Sequence, residues 1–277
     1  MMSFNLNPLY IEQIKNLFKH ADSLIISAGA GMGVDSGLPD FRGNQGMWQA
    51  YPELGKQRID FSEIANPAAF KRHPHLAWGF YGHRLALYRQ TTPHQGFALL
   101  KQLAEQLELP YFVFTSNVDG QFQKAGFAPD QIYECHGSIH YLQCLNVCQQ
   151  HIWSANELSP DIAQHDCQWQ GPLPQCPVCG HLARPNILMF NDAAWISQRQ
   201  MQQAKRLDLF LKNHHQAVVI EVGAGTAIPT VRYFSERFAP RLIRINPRES
   251  AIPSQAGIAL PSNAHAGISS IYRIFIE

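Results

Sequence analysis

Short apolar runs, each bounded by turn formers, constrain this chain more than any other feature. Ser23–Ala28 reads SLIISA, Tyr111–Thr115 reads YFVFT, Ala217–Val222 reads AVVIEV and Arg241–Asn246 reads RLIRIN. Runs of this length are how strands buried on both faces read, and such strands belong to a parallel sheet covered by helices. Helical spacing lies between them. Leu9, Ile11, Ile14, Leu17 and Phe18 recur at that spacing after Pro8, and Gly96 to Leu107 and Gln198 to Leu211 fit helices as well. Strands alternating with helices predict an α/β fold built on a doubly wound parallel sheet.

Two regions break the rhythm. Residues 44–92 are rich in aromatics and histidine, carry Pro52, Pro67 and Pro74, and predict a helical insertion. Residues 143–183 hold most of the cysteines among prolines and tryptophans, with little periodicity, and a segment so poor in pattern needs a staple. The remaining segments, 1–43, 93–142 and 184–277, are expected to form one discontinuous domain around the sheet. Net charge is +1 and 16% of residues are charged, against about 25% in an average soluble protein, so neither nucleic acid nor an anionic membrane is an expected partner. No run approaches the roughly 20 apolar residues of a membrane span. The N-terminal stretch lacks the order of a secretory signal. The expected location is the cytoplasm, where the six cysteines point to thiols or metal before disulfides.

The first apolar run leads straight into GAGMGVDSGLPDFRG, residues 29 to 43. Gly29-Ala30-Gly31 after a strand suggests a turn whose bare backbone can approach a pyrophosphate. The spacing is not G-x-G-x-x-G, because Val34 stands where the last glycine belongs, and an ordinary strand-to-helix turn reads the same way. Asn117 and Asp119 lie just past the second run, where doubly wound folds place ligands, although both are also common turn formers. Cys144 and Cys148, then Cys176 and Cys179, form two close pairs of the kind that hold tetrahedral zinc on thiolates; reduced core thiols are the plainer alternative.

The tail of the glycine loop, Ser36-Gly37-Leu38-Pro39-Asp40-Phe41-Arg42-Gly43, resembles the NAD-binding loop of the sirtuins, the NAD-dependent protein deacylases. Further stretches follow in that family's order. Thr115-Ser116-Asn117-Val118-Asp119-Gly120 is similar to its TQNxD motif, and Cys135-His136-Gly137 carries its HG pair. Arg184 to Phe190 resembles its RPxxxxF stretch, GAGTAIPTV at 223–231 its GTS-type motif, and Ile245-Asn246 its late IN pair.

The resemblance implies a Rossmann-like NAD-binding domain with a small zinc-binding module, one structural zinc and an acylated protein or peptide as substrate. It implies NAD contacts from Gly29, Ala30, Gly31, Asp40, Phe41, Arg42, Ser116, Asn117, Asp119, Gly223 or Gly225, and Asn246. The glycines would seat the pyrophosphate, and the Pro-Asp-Phe-Arg tail would cover the nicotinamide ribose. His136 would be the general base, with Asn117 and Asp119 beside it; an imidazole suits that task because it titrates near neutrality. Tyr81 and Arg84 resemble the Y-x-x-R pair of sirtuins that remove acidic acyl groups, while a packed tyrosine and a solvated arginine are the alternative.

Departures from the family pattern are Gly33 and Val34, Ser116 for Gln, Phe122 for His, and Asn191-Asp192 where Gly-Glu is usual. They leave room for a mono-ADP-ribosyltransferase or NAD hydrolase in the same pocket, or for a catalytically weak NAD-sensing interaction protein. A dehydrogenase is disfavoured. No acidic ribose ligand is recognisable about 20 residues past the glycines.

Overall fold

In the computed structural model, residues 6–40, 43–163, 166–253 and 257–276 are described. The strands are β1 (Ser23–Ala28), β2 (Tyr111–Thr115), β3 (Ile132–Glu134), β4 (Gly137–Cys144), β5 (Ile152–Ser154), β6 (Ile162–Ala163), β7 (Gln168–Trp169), β8 (Ala183–Ile187), β9 (Ala217–Val222), β10 (Leu242–Ile245) and β11 (Ile258–Leu260). One sheet runs in the order β11-β10-β9-β1-β2-β3, with every neighbouring pair parallel. This is the doubly wound α/β arrangement expected from the apolar runs.

Alternation within β1 shows why those runs are apolar throughout. Leu24, Ile26 and Ala28 join the core on one face with Ile14, Phe97, Leu100 and Ile268. Ile25 points the other way, into a core with Leu207 and Phe234. The charged residues in two of the runs also find a place. Glu221 and Arg244 are register partners on β9 and β10, both side chains are buried, and Arg244 Nε and Nη2 donate to the carboxylate at 2.5 and 3.0 Å. A bidentate pair meets the demand that a buried charge be matched.

Two parallel strands, β3 and β11, are missing from the sequence reading. Each is three residues long, too short for its pattern to show. The expected strand at 241–246 contracts to Leu242–Ile245.

The insertion is helical, from Gly43–Ala50 through Pro52–Lys56, Phe61–Ile64 and Pro67–Arg72 to the long helix Pro74–Gln90. Its prolines sit at helix starts, where a missing N–H costs nothing. Phe70, Trp78, Phe80 and Tyr81 of the insertion share a third core with Ile139, Leu142, Trp169 and Ile187. β4 pairs antiparallel with β5 and β8, and β6 with β7. Among the described residues, no helix is long and apolar enough to cross a membrane.

Candidate functional site

The register of the sheet places three loops side by side. Ala28 at the end of β1 lies opposite both Thr115 of β2 and Val222 of β9, so Gly29, Ser116 and Gly223 leave the sheet at one level. The chain passes to β2 on one side of β1 and to β9 on the other, and such a switch point opens a crevice at the strands' C-terminal ends. A cleft of about 370 Å³ lies there. Gly29, Ala30, Gly31, Asp40, Ser116, Asn117, Asp119, His136, Gly223, Gly225, Tyr81 and Arg84 all line it.

Glycine is required where the first and last of these loops touch. Gly223 has φ +64°, and a Cβ on it would lie 2.3 Å from the Gly31 carbonyl carbon; one on Gly31 would lie 2.7 Å from the Gly223 Cα. Gly31 N–H donates to the Gly223 carbonyl at 3.0 Å. Packing thus requires glycine at 223 and not at 225. Nothing crowds Gly225, whose Cβ would meet only the Glu249 carboxylate at 3.8 Å. The segment after Gly29 is a 3₁₀ turn, Ala30–Ser36, rather than an α-helix, so no long helix dipole stands behind the loop.

Asn117 is fixed from two sides. Its Nδ2 donates to the Gly29 carbonyl at 3.0 Å, and its N–H donates to the Thr115 hydroxyl at 3.0 Å. Asp119 accepts from Gln121 N–H at 2.9 Å. Burial pushes its carboxyl up to about 6, with Glu134 adding to the rise while the Gln121 N–H and Arg84 oppose it. His136 stands at the turn from β3 into β4, and its carbonyl accepts from Leu188 N–H at 2.9 Å. The adjacent glycine is a packing requirement. Gly137 has φ +80°, and a Cβ there would lie 2.2 Å from the Asn186 carbonyl oxygen. Burial holds the His136 imidazole below its usual pKa, partly offset by the Ser116 backbone, and Thr230 Oγ1 lies 3.5 Å from Nε2.

The same physics gives a stability prediction. Burial also depresses His83, His94 and His140. Below the ordinary histidine value of about 6.5 the unfolded chain takes up protons at these positions before the folded one does, so stability falls with pH. Asp119, raised in the folded state, acts with the opposite sign. It binds its proton sooner when folded and recovers stability as pH drops through 6. Four depressed histidines act against one raised carboxyl, and the melting temperature is expected to fall from pH 7 to pH 5. A flat or rising profile in thermal melts would contradict this.

One expected contact, Asn246, differs from the site as found, and Asp40 lines the cleft with a partner of its own. Asn246 is fully buried and does not line the cleft. Its Nδ2 donates to the Ala224 carbonyl at 3.0 Å, and its Oδ1 accepts from Arg248 and Glu249 N–H, so the amide is spent on shaping the wall. Asp40 is only partly buried, and Arg248 Nη2 donates to it at 3.3 Å. Phe41 and Arg42 lie outside the described residues.

The departures at 191–192 have a physical account. Asn191 adopts φ +53°, a left-handed conformation that Asn tolerates better than most residues. Asp192 accepts from Arg184 Nη2 at 2.8 Å, with both side chains buried. The Asn-Asp turn therefore supplies a left-handed residue and a buried partner for Arg184. Phe122 packs edge-on against Phe97 and Phe127, and Val34 faces outward, 43% exposed. Ser116, by contrast, lines the cleft.

Tyr81 and Arg84 both turn inward from the Pro74–Gln90 helix. Tyr81 stacks on Phe70, and the Arg84 guanidinium lies 5.6 Å from the Tyr81 ring centre. The solvated-arginine alternative is excluded, since Arg84 is 7% exposed. Sequence reasoning did not single out Tyr88, the apolar rim of Leu188, Phe190 and Ile228, or Thr230 beside His136. The rim residues and Thr230 fall inside the motifs at 184–190 and 223–231, and Tyr88 lies seven residues beyond Tyr81 and so on its helix face.

A second centre forms away from the cleft. The sulfurs of Cys144, Cys148, Cys176 and Cys179 all lie within 4.8 Å of one another, with Cys144–Cys179 and Cys148–Cys176 each at 3.6 Å. Sulfurs about 2.3 Å from a tetrahedral zinc stand about 3.8 Å apart, so the donor set fits that ion. Burial alone would raise the Cys176 thiol, but the backbone N–H groups of Cys179 and Val178 bring it down to about 7. Cys135 and Cys167 are buried elsewhere and take no part in the cluster.

Comparison with known proteins agrees with this arrangement. The Sir2 family model matches residues 29–220. A protein of Aquifex aeolicus named NAD-dependent protein deacylase is 27% identical over 252 residues, covering 90% of this chain and 94% of that protein. One of the same name from Thermococcus sibiricus is 28% identical, covering 94% of each. The solved structure of a Sir2 homologue in complex with NAD superposes with TM-score 0.74 over the whole of this chain and 96% of the other, at 24% identity, a likeness of fold. The matched stretch takes in the first glycine loop, His136 and all four clustered cysteines, and the chain belongs to the Sir2 family.

Proposed function

We propose that this chain is an NAD-dependent protein lysine deacylase, with His136 as its general base and one structural zinc on the four cysteines. The observation that carries the reading is the convergence of His136, Asn117, the paired glycine loops and an inward-facing Tyr81–Arg84 pair in one cleft. NAD, when bound, would supply the chemistry by releasing nicotinamide from C1′ as the acyl oxygen attaches there; addition of water would then break the bond to the lysine nitrogen, so the products would be nicotinamide, O-acyl-ADP-ribose and free lysine. The Gly29–Gly31 and Gly223 backbones leave the space a pyrophosphate needs. Asn117, anchored to the Gly29 carbonyl, holds the ribose end against the loop. His136 is kept neutral by burial and takes the proton of a ribose hydroxyl. Leu188, Phe190 and Ile228, each more than a third exposed beside the cleft, offer apolar surface to the arriving peptide.

The test is nicotinamide release with and without acylated peptide. Release that depends on the acyl group supports the deacylase. Release without it points to ADP-ribosyl transfer or NAD hydrolysis, and no release to an NAD-sensing protein.

Arg84 favours acidic acyl groups in this reading. Burying a succinyl carboxylate beside apolar walls requires a cation, and Arg84 is that cation at the cleft. Succinyl- or malonyl-lysine peptides are expected to be preferred over acetyl-lysine, and Arg84→Met is expected to abolish the preference. A wild type that prefers acetyl, or a variant with an unchanged ratio, would show that the pair only packs.

A further inference from the structure

Four residues beyond Arg84, on the same helix, Tyr88 also lines the cleft. Its hydroxyl oxygen accepts two hydrogen bonds from Arg84, at 3.0 Å from Nε and 2.8 Å from Nη2. Both donors belong to one edge of the guanidinium, so this acceptor constrains the plane of the fork. Tyr88 is 5% exposed, and the Arg84 guanidinium lies 5.3, 5.6 and 5.4 Å from the ring centres of Phe80, Tyr81 and Tyr88. In that aromatic surrounding, the Tyr88 hydroxyl gives the guanidinium an acceptor that orients it.

Tyr88 is itself held from the cofactor side. Its carbonyl accepts from Gln121 Nε2 at 3.1 Å, and Gln121 N–H donates to the Asp119 carboxylate at 2.9 Å. A chain of contacts therefore runs from the turn carrying Asn117 and Asp119, through Gln121 and Tyr88, to Arg84.

We propose that Tyr88 is a positioning residue for acyl selection: its hydroxyl aims the Arg84 guanidinium at the carboxylate of an acidic acyl-lysine. The proposal rests on the deacylase reading and on Arg84 as the acyl cation. A guanidinium recognises a carboxylate through a planar fork, so its value depends on orientation as well as charge. Without the hydroxyl, two buried donors lose their acceptor, and Arg84 turns toward whatever acceptor is nearest.

The test is Tyr88→Phe in the full chain, which removes one oxygen and keeps the ring that fills the core. Steady-state constants on matched succinyl- and acetyl-lysine peptides are measured at saturating NAD, together with binding of both peptides by calorimetry. The KM and Kd for the succinyl peptide are expected to rise about tenfold, the scale on which misplaced binding groups act, with kcat and both acetyl constants within about twofold. A variant that keeps the wild-type succinyl-to-acetyl ratio, or that weakens both peptides equally, overturns the proposal. Those results leave the Arg84 reading standing if Arg84→Met still abolishes the preference. A wild type with no acidic preference overturns both.

Discussion

His136→Ala is expected to lower acyl removal by 10²-fold or more, the usual scale for a lost general base, while leaving NAD affinity within a few-fold. The backbone argument separates the two effects. His136 carries its ring into the cleft, but the turn is held by other groups: the Leu188 N–H to the His136 carbonyl, and the close approach of Gly137 to Asn186. Alanine keeps all of these. The glycine loops that would receive the pyrophosphate are tied to each other and to Asn117, not to the imidazole. Binding of NAD by calorimetry and deacylation of an acylated peptide therefore report on different parts of the cleft. The acid limb of the wild-type rate is expected below pH 6.5, because burial keeps the ring neutral to lower pH. A variant that deacylates at the wild-type rate would remove His136 from the mechanism.

The sheet was legible because β1, β2 and β9 are buried on both faces, and burial on both faces leaves an unbroken apolar run. β3 and β11 escaped because three residues carry too little pattern to separate strand from loop. The zinc cysteines were legible from spacing, since each pair closes a tight turn within a few residues. Other parts of the site depend on contacts between distant segments. Asn246 illustrates the limit: a short motif named the residue, yet the fold spends its amide on Ala224 and the turn to Glu249. Tyr88 illustrates the converse. Its role comes from the hydroxyl meeting Arg84 inside a core built from two regions of the chain, which helix spacing allows but does not announce. Asn191-Asp192 read only as a departure in the sequence, and its left-handed backbone and buried ion pair with Arg184 show a structural role that the sequence did not announce.

One zinc per chain is expected on Cys144, Cys148, Cys176 and Cys179, and its removal is expected to cost the enzyme its activity although the metal takes no part in the chemistry. In the segment that carries the cysteines, β5, β6 and β7 are short, at three, two and two residues, and the second cysteine pair is on a turn closed by the Gly180 N–H to Cys176 carbonyl bond at 2.9 Å. So little regular structure does not hold itself together, whereas structural zinc in small modules contributes about 10–16 kcal/mol of apparent binding energy. The damage would not stay local. β4 begins at Gly137, next to His136, and ends at Cys144; β8 pairs with it and ends at Ile187, which lines the cleft. Loosening the cluster loosens both strands and, with them, the placement of the base. Cys148 is exposed and Cys179 partly so, which gives a chelator access. Chelation or Cys176→Ser is expected to lower the melting temperature and remove deacylation together, while Cys135→Ser and Cys167→Ser keep the full zinc content. Metal analysis finding no zinc in the purified protein, or a Cys176→Ser variant with unchanged melting and activity, would end this account.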